Sequence, residues 1–149
     1  MVYEHFGSKN GVYLACIRRI HDEFDDALVA SARDAPELRA ALRLGAGAFF
    51  ATIEEQPQRW SLVYGSSTGM VGAMADDLSQ LRAGTVGRIA ELITAHRPEV
   101  DARRAEVVAN MISGAGEQLG RWWLRHPGTS RELVVRDFTD FAHAAVREA

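Results

Sequence analysis

An all-helical fold is predicted for these 149 residues by three observations. Large apolar residues recur every three or four positions through five long stretches, the spacing of one helix face. Helix stops and starts punctuate those stretches at Asp34-Ala35-Pro36-Glu37, Pro57, Arg97-Pro98 and His126-Pro127-Gly128. No segment alternates polar and apolar residues with period two, so no sheet is expected.

The first stretch, 9–33, carries Val12, Cys16, Ile20, Phe24 and Leu28 at intervals of four, with Tyr13 and Ile17 beside them. Its face places Cys16 in the core and leaves His21 and Asp25, spaced i, i+4, on a solvated side. No third ligand of convincing spacing joins that pair, so a metal site is not expected. The second helix, 34–56, is opened by Asp34 as cap, Pro36 as an early proline and Glu37 as capping-box acid. Leu38, Leu42, Phe49, Phe50 and Ile53 form its apolar face. A short helix follows over 57–67, carrying Trp60, Val63 and Tyr64, and the Gly65–Gly69 segment loosens what comes next. Met74, Leu78, Leu81, Ile89, Leu92 and Ile93 stripe a helix over 70–96, with Gly84 and Gly87 as weak points within it. A long helix over 101–126 carries Val108, Met111, Ile112, Leu119, Trp122 and Trp123. The last helix, 130–148, begins at a Thr129-Ser130-Arg131-Glu132 capping box with Glu132 at N3.

Composition narrows the function. With 47% hydrophobic residues the chain can bury one core without disulfides or metals, and a single cysteine allows no intrachain bridge. A net charge of −3 argues against broad electrostatic binding of nucleic acid, so any DNA contact must be local. No apolar run is long enough to span a membrane and no secretory leader is seen, which leads us to expect a soluble, cytoplasmic chain. Phosphate loops, HExxH and CxxC spacings and nucleophile–base pairs are all missing, so neither an enzyme nor a bound cofactor is expected.

Two groups of residues invite a functional reading. Phe49, Phe50, Trp60, Tyr64, Met70, Met74 and Met111 lie on separate helices interrupted by glycines. They are either ordinary core or the wall of an apolar ligand cavity, in which Tyr64, Asn110 or Glu117 would be the polar anchors. Trp122, Trp123, Val134, Phe138, Phe141 and Ala145 make the last two helices richer in large apolar groups than a terminal hairpin needs, and Gly116 and Gly120 would let another helix approach closely. They form either a core hairpin or the interface of a homodimer with two-fold symmetry.

The N-terminal stretch is the most specific. Tyr3 and His5 precede a Gly7-Ser8 turn, where Ser8 can cap a helix opened by Lys9, Asn10 and Gly11 with no acid in its first turn. Free amides, a helix dipole and the only lysine of the chain make a phosphate-sized site, with Tyr3, His5 and Lys9 as its contacts. In Tyr3, His5, Phe6, Ser8 and Lys9 this stretch resembles the TetR family of transcriptional regulators, whose DNA-reading helix ends in a Tyr-x-His-Phe-x-Ser-Lys-(acid)-x-Leu pattern. Asn10 replaces the acid and Val12 the leucine.

The resemblance implies a ligand-responsive transcriptional regulator, with repression the usual mode. Residues 1–32 would be the end of a helix-turn-helix domain and its linking helix, and 33–149 the ligand-binding and dimerisation domain. It also implies an inducer site in the middle of the chain and a four-helix dimer interface made by the last two helices. Family members carry two helices and most of a third before this motif, whereas here Met1 falls near their end. Operator DNA is therefore an expected partner of an N-terminally complete form only. The alternative is a helical dimer that binds a small molecule or a partner and never touches DNA.

Overall fold

A computed structural model describes residues 9–64 and 73–149, leaving out the side chains at positions 9, 10, 31, 73 and 74. Six helices occur among the described residues: α1 (Lys9–Ala32), α2 (Leu38–Glu55), α3 (Pro57–Tyr64), α4 (Ala73–His96), α5 (Ala102–Leu124) and α6 (Arg131–Arg147). Helix α2 lies at the centre, packed on α1 along one side and on α6 along the other, while α4 packs on α5 and α1. The polar links between α1 and α4 rise together in number, Arg18 with Asp77, His21 and Asp25 with Thr85, Asp25 with Arg88. The two helices therefore run parallel.

Several boundaries and faces differ from expectation. The second helix begins at Leu38, with Glu37 at the cap position in extended conformation and making no side-chain cap bond. Pro36 biases Ala35 away from helical geometry, and the Ala35 carbonyl lies 3.4 Å from His96 Nε2 at the end of α4. The final helix is capped by Ser130, whose hydroxyl accepts from the Leu133 amide, so Glu132 stands one position earlier than a capping box requires. Helix α4 runs unbroken through Gly84 and Gly87, since each faces open space and the ladder around them is intact.

The largest correction concerns α1. Its buried stripe is Ile17, Ile20, His21, Phe24 and Asp25, and Cys16 is exposed. One residue of a helix is about 100° of rotation, so centring the face on Ile17 instead of Cys16 turns the thiol outward and the His21–Asp25 pair inward.

The core is an aromatic cluster built on α2. Phe50 meets Phe49, Trp123 and Phe138 edge to face, with ring centroids 5.2, 5.9 and 5.5 Å apart, a favoured quadrupole arrangement. Trp60 is fully buried beside Tyr64, and Trp123 donates its indole N–H to the Thr129 carbonyl at 2.8 Å. Gly120 lies against this cluster: a Cβ there would come within 2.8 Å of Ile53 Cδ1 and of Trp60 Cζ2. Gly120→Val is accordingly expected to cost about 1–3 kcal/mol through overpacking, read as a lower urea midpoint with an unchanged m-value.

Candidate functional site

A cavity of about 420 Å³ lies between α1, α2, α4 and α5, with Tyr64 of α3 and Phe138 of α6 completing its wall. Its volume falls in the range of small-molecule sites. Leu28, Leu42, Phe49, Ile89, Leu92 and Ile112 make the wall largely apolar. Along α1 it runs from Asp25 to Ala32, about 10 Å of helix, and on to Arg33 just beyond the helix end. A glycine of α2 helps to create it: at Gly45 no side-chain or distant backbone atom lies within 4 Å of an added Cβ, so the space beside it is empty.

The polar groups gather at the Asp25 end. Asp25 is 2% exposed and accepts from the Thr85 hydroxyl at 2.8 Å and from Arg88. Thr85 has one proton to give, so with that proton on Asp25 its oxygen accepts from His21 Nε2–H, 3.0 Å away. Nδ1 is buried without a hydrogen-bond partner, 3.8 Å from Asp25 Oδ2. Burial raises the Asp25 carboxyl above the usual carboxylate range, against the pull of His21, Thr85 and Arg88. Across the cavity Glu117 pairs with Arg82 at 3.2 Å and with Arg121 at 3.5 Å. Between the two carboxylates stands Tyr64, whose phenol is pushed well up by burial first and then by Asp25 and Glu117.

A raised acid pKa in the folded state has a definite sign. The folded chain holds the Asp25 proton more tightly than the unfolded one, so the contribution is most favourable below the ordinary value of 3.8 and is lost as pH rises through the folded-state pKa. Asp25→Asn removes that dependence. The stability of the wild type relative to this variant is expected to fall as pH rises above about 3.8, measured by urea unfolding of both proteins at a series of pH values.

The residues named from sequence fall into three groups. Phe49, Tyr64 and Glu117 line the cavity. Phe50 and Trp60 are fully buried in the aromatic core behind it, Met111 is 47% exposed, and Asn110 is exposed in a separate small recess, its Nδ2 donating to the Glu106 carbonyl at 2.9 Å. These four are not among the residues that line the cavity. Tyr3, His5 and Met70, and the side chains of Lys9 and Met74, lie outside the described residues.

The last two helices are split in the same way. Gly116 is covered by Phe138 and Phe49, Gly120 by Ile53 and Trp60, and Trp123, Val134 and Phe138 are buried within the chain itself, so these five are not available to a second copy. Ala145 is part-buried against the core, while Trp122 and Phe141 are exposed. Val107, Met111, Leu124 and Leu133 join them on the surface of the same two helices.

Asp25, Thr85 and Arg88 were missed by sequence reasoning. The available signal was the i, i+3, i+4 run Ile17, Ile20, His21, Phe24, which carries Asp25 inward with it. Among the described residues no group of three or more His, Cys, Asp or Glu is placed to hold a metal, and no helix is long and apolar enough to cross a membrane.

Comparison with known proteins is decisive for the family. The profile described as "Tetracyclin repressor-like, C-terminal domain" matches residues 37–144, most of the chain. The chain belongs to the TetR family of transcriptional regulators. It is 25% identical over 126 residues to the HTH-type transcriptional activator FasR of Mycolicibacterium smegmatis, covering 85% of this chain and 57% of that protein's length. Its fold is similar to that of the fatty acid degradation regulator FadR from Bacillus halodurans, with a TM-score of 0.80 at 14% identity over 95% of this chain and 78% of that one. The family is one of regulators and not of enzymes.

Proposed function

We propose that this chain is the regulatory part of a ligand-responsive transcriptional regulator, in which a small apolar ligand enters the cavity and moves α1. The observation that carries this reading is the position of Asp25, Thr85 and Arg88: two of the bonds that tie α1 to α4, Thr85 and Arg88 to Asp25, are made on the cavity wall itself. A ligand lodged there has a differential interaction with the tied and untied arrangements, the requirement for shifting an equilibrium between them. Helix α1 spans about 36 Å, so a tilt at Asp25 is carried to its Lys9 end. In this reading residues 1–32 close a DNA-binding domain, 33–149 bind ligand and dimerise, and Tyr3, His5 and Lys9 contact phosphate. The family match beginning at residue 37 supports that division.

The dimer is formed by α5 and α6 through Met111, Trp122, Leu124, Leu133 and Phe141, an exposed apolar set on adjacent helices. The resemblance implies repression, whereas FasR is named as an activator, and the sign is left to a promoter reporter. FadR is named for fatty acid degradation, which puts aliphatic compounds first in a ligand screen.

The test is a titration of promoter DNA, at several salt concentrations, with this chain and with a version extended upstream in its own reading frame. The extended protein is expected to bind selectively and to change affinity when an apolar ligand is added. The 149-residue chain should bind weakly, with a log–log salt slope no steeper than about −5 for roughly six phosphate contacts per dimer. Tight, sequence-selective binding by the shorter chain would contradict the proposal.

A further inference from the structure

The charges at the Asp25 end of the cavity are already matched within the protein. Asp25 is held by Arg88 and Thr85, and Glu117 by Arg82 and Arg121. Tyr64 stands apart. It is 3% exposed and lines the cavity, yet its hydroxyl makes no hydrogen bond with any described residue. Its ring is flanked by Trp60 and Phe49, with centroids at 5.3 and 6.1 Å, which holds the hydroxyl toward the cavity. Water that enters the cavity can reach the hydroxyl, so a ligand that displaces this water costs Tyr64 a hydrogen bond unless it supplies an acceptor of its own.

We propose that the cavity selects uncharged ligands, an apolar body carrying one hydrogen-bond-accepting oxygen such as that of an alcohol, ketone or ester, and that the Tyr64 hydroxyl reads that oxygen. This rests on the ligand-cavity reading above. A carboxylate is disfavoured at the same place. It would enter an apolar space flanked by the carboxylates of Asp25 and Glu117, whose arginines are engaged, and would leave its hydration shell behind. Arg33, which makes no ion pair among the described residues, lies at the other end of the cavity and is exposed to water, where an ionic contact adds little.

Three compounds of matched shape test the idea by calorimetry at pH 7: 4-phenylbutan-1-ol, 4-phenylbutanoate and butylbenzene. The alcohol is expected to bind at least about tenfold more tightly than the carboxylate. Tyr64→Phe should weaken the alcohol by about five- to tenfold, the worth of one hydrogen bond, and leave butylbenzene unchanged. A melting curve matching the wild type establishes that the variant is folded. Equal or tighter binding of the carboxylate overturns the selectivity, and an alcohol preference that survives Tyr64→Phe overturns the role of Tyr64. If none of the three binds, the ligand-cavity reading itself fails and this inference fails with it.

Discussion

Phe138→Glu is expected to unfold the chain, whereas Phe141→Glu leaves it folded and splits the proposed dimer. The two phenylalanines are three residues apart on α6 but differ in surroundings: Phe138 is 9% exposed and packs edge-on against Phe50 at 5.5 Å, while Phe141 is 49% exposed. A carboxylate at position 138 would be buried in an aromatic cluster with no cation among its ring neighbours. Such a group costs several kcal/mol, a large part of a typical total stability of about 5–15 kcal/mol. At position 141 the same substitution changes folding stability by only about 0.5 kcal/mol. Two-fold symmetry would place it in the interface twice, and losing an aromatic anchor on each side weakens dimerisation by at least about a hundredfold. Sedimentation velocity combined with circular dichroism separates the two effects. A Phe141→Glu protein that remains a dimer at micromolar concentration would remove α6 from the interface.

Gly45→Phe should abolish ligand binding while keeping the chain folded. Gly45 lies on the cavity side of α2, and no side chain meets a Cβ built there, so a phenyl ring can turn into space that is empty. It would fill much of the 420 Å³ and compete with any ligand for contact with Leu28, Leu92 and Ile112. Gly45→Ala is the control. It adds one methyl group, leaves most of the cavity open, and is expected to stabilise the chain by about 0.5–1 kcal/mol by relieving the helix of a glycine. Compounds that bind the wild type are expected to bind Gly45→Ala with similar affinity and Gly45→Phe at least about a hundredfold more weakly. Undiminished binding to Gly45→Phe would show that the ligand sits elsewhere.

The fold class, the number of helices among the described residues and most of their ends were determined by local chemistry that the sequence displays directly. Asp101 caps α5, accepting from the Arg104 amide at 2.9 Å, because an aspartate before a helical run satisfies an amide the helix cannot. The family was legible for a similar reason: the Tyr3 to Lys9 motif is a contiguous string, and the profile match over residues 37–144 agrees with it.

What the tertiary structure alone decided is which side of each helix faces what. An apolar stripe does not say whether it meets its own chain, a partner or an empty cavity, since all three satisfy the same hydrophobic preference. Phe138 and Phe141, or Trp122 and Trp123, look alike in sequence, and only packing against Phe50 sends Phe138 and Trp123 inward. Asp25 was unreadable for the opposite reason. A carboxylate defaults to the surface because burying its charge is costly, and it is found inside here because Thr85 and Arg88, about sixty residues away in sequence, meet both of its oxygens.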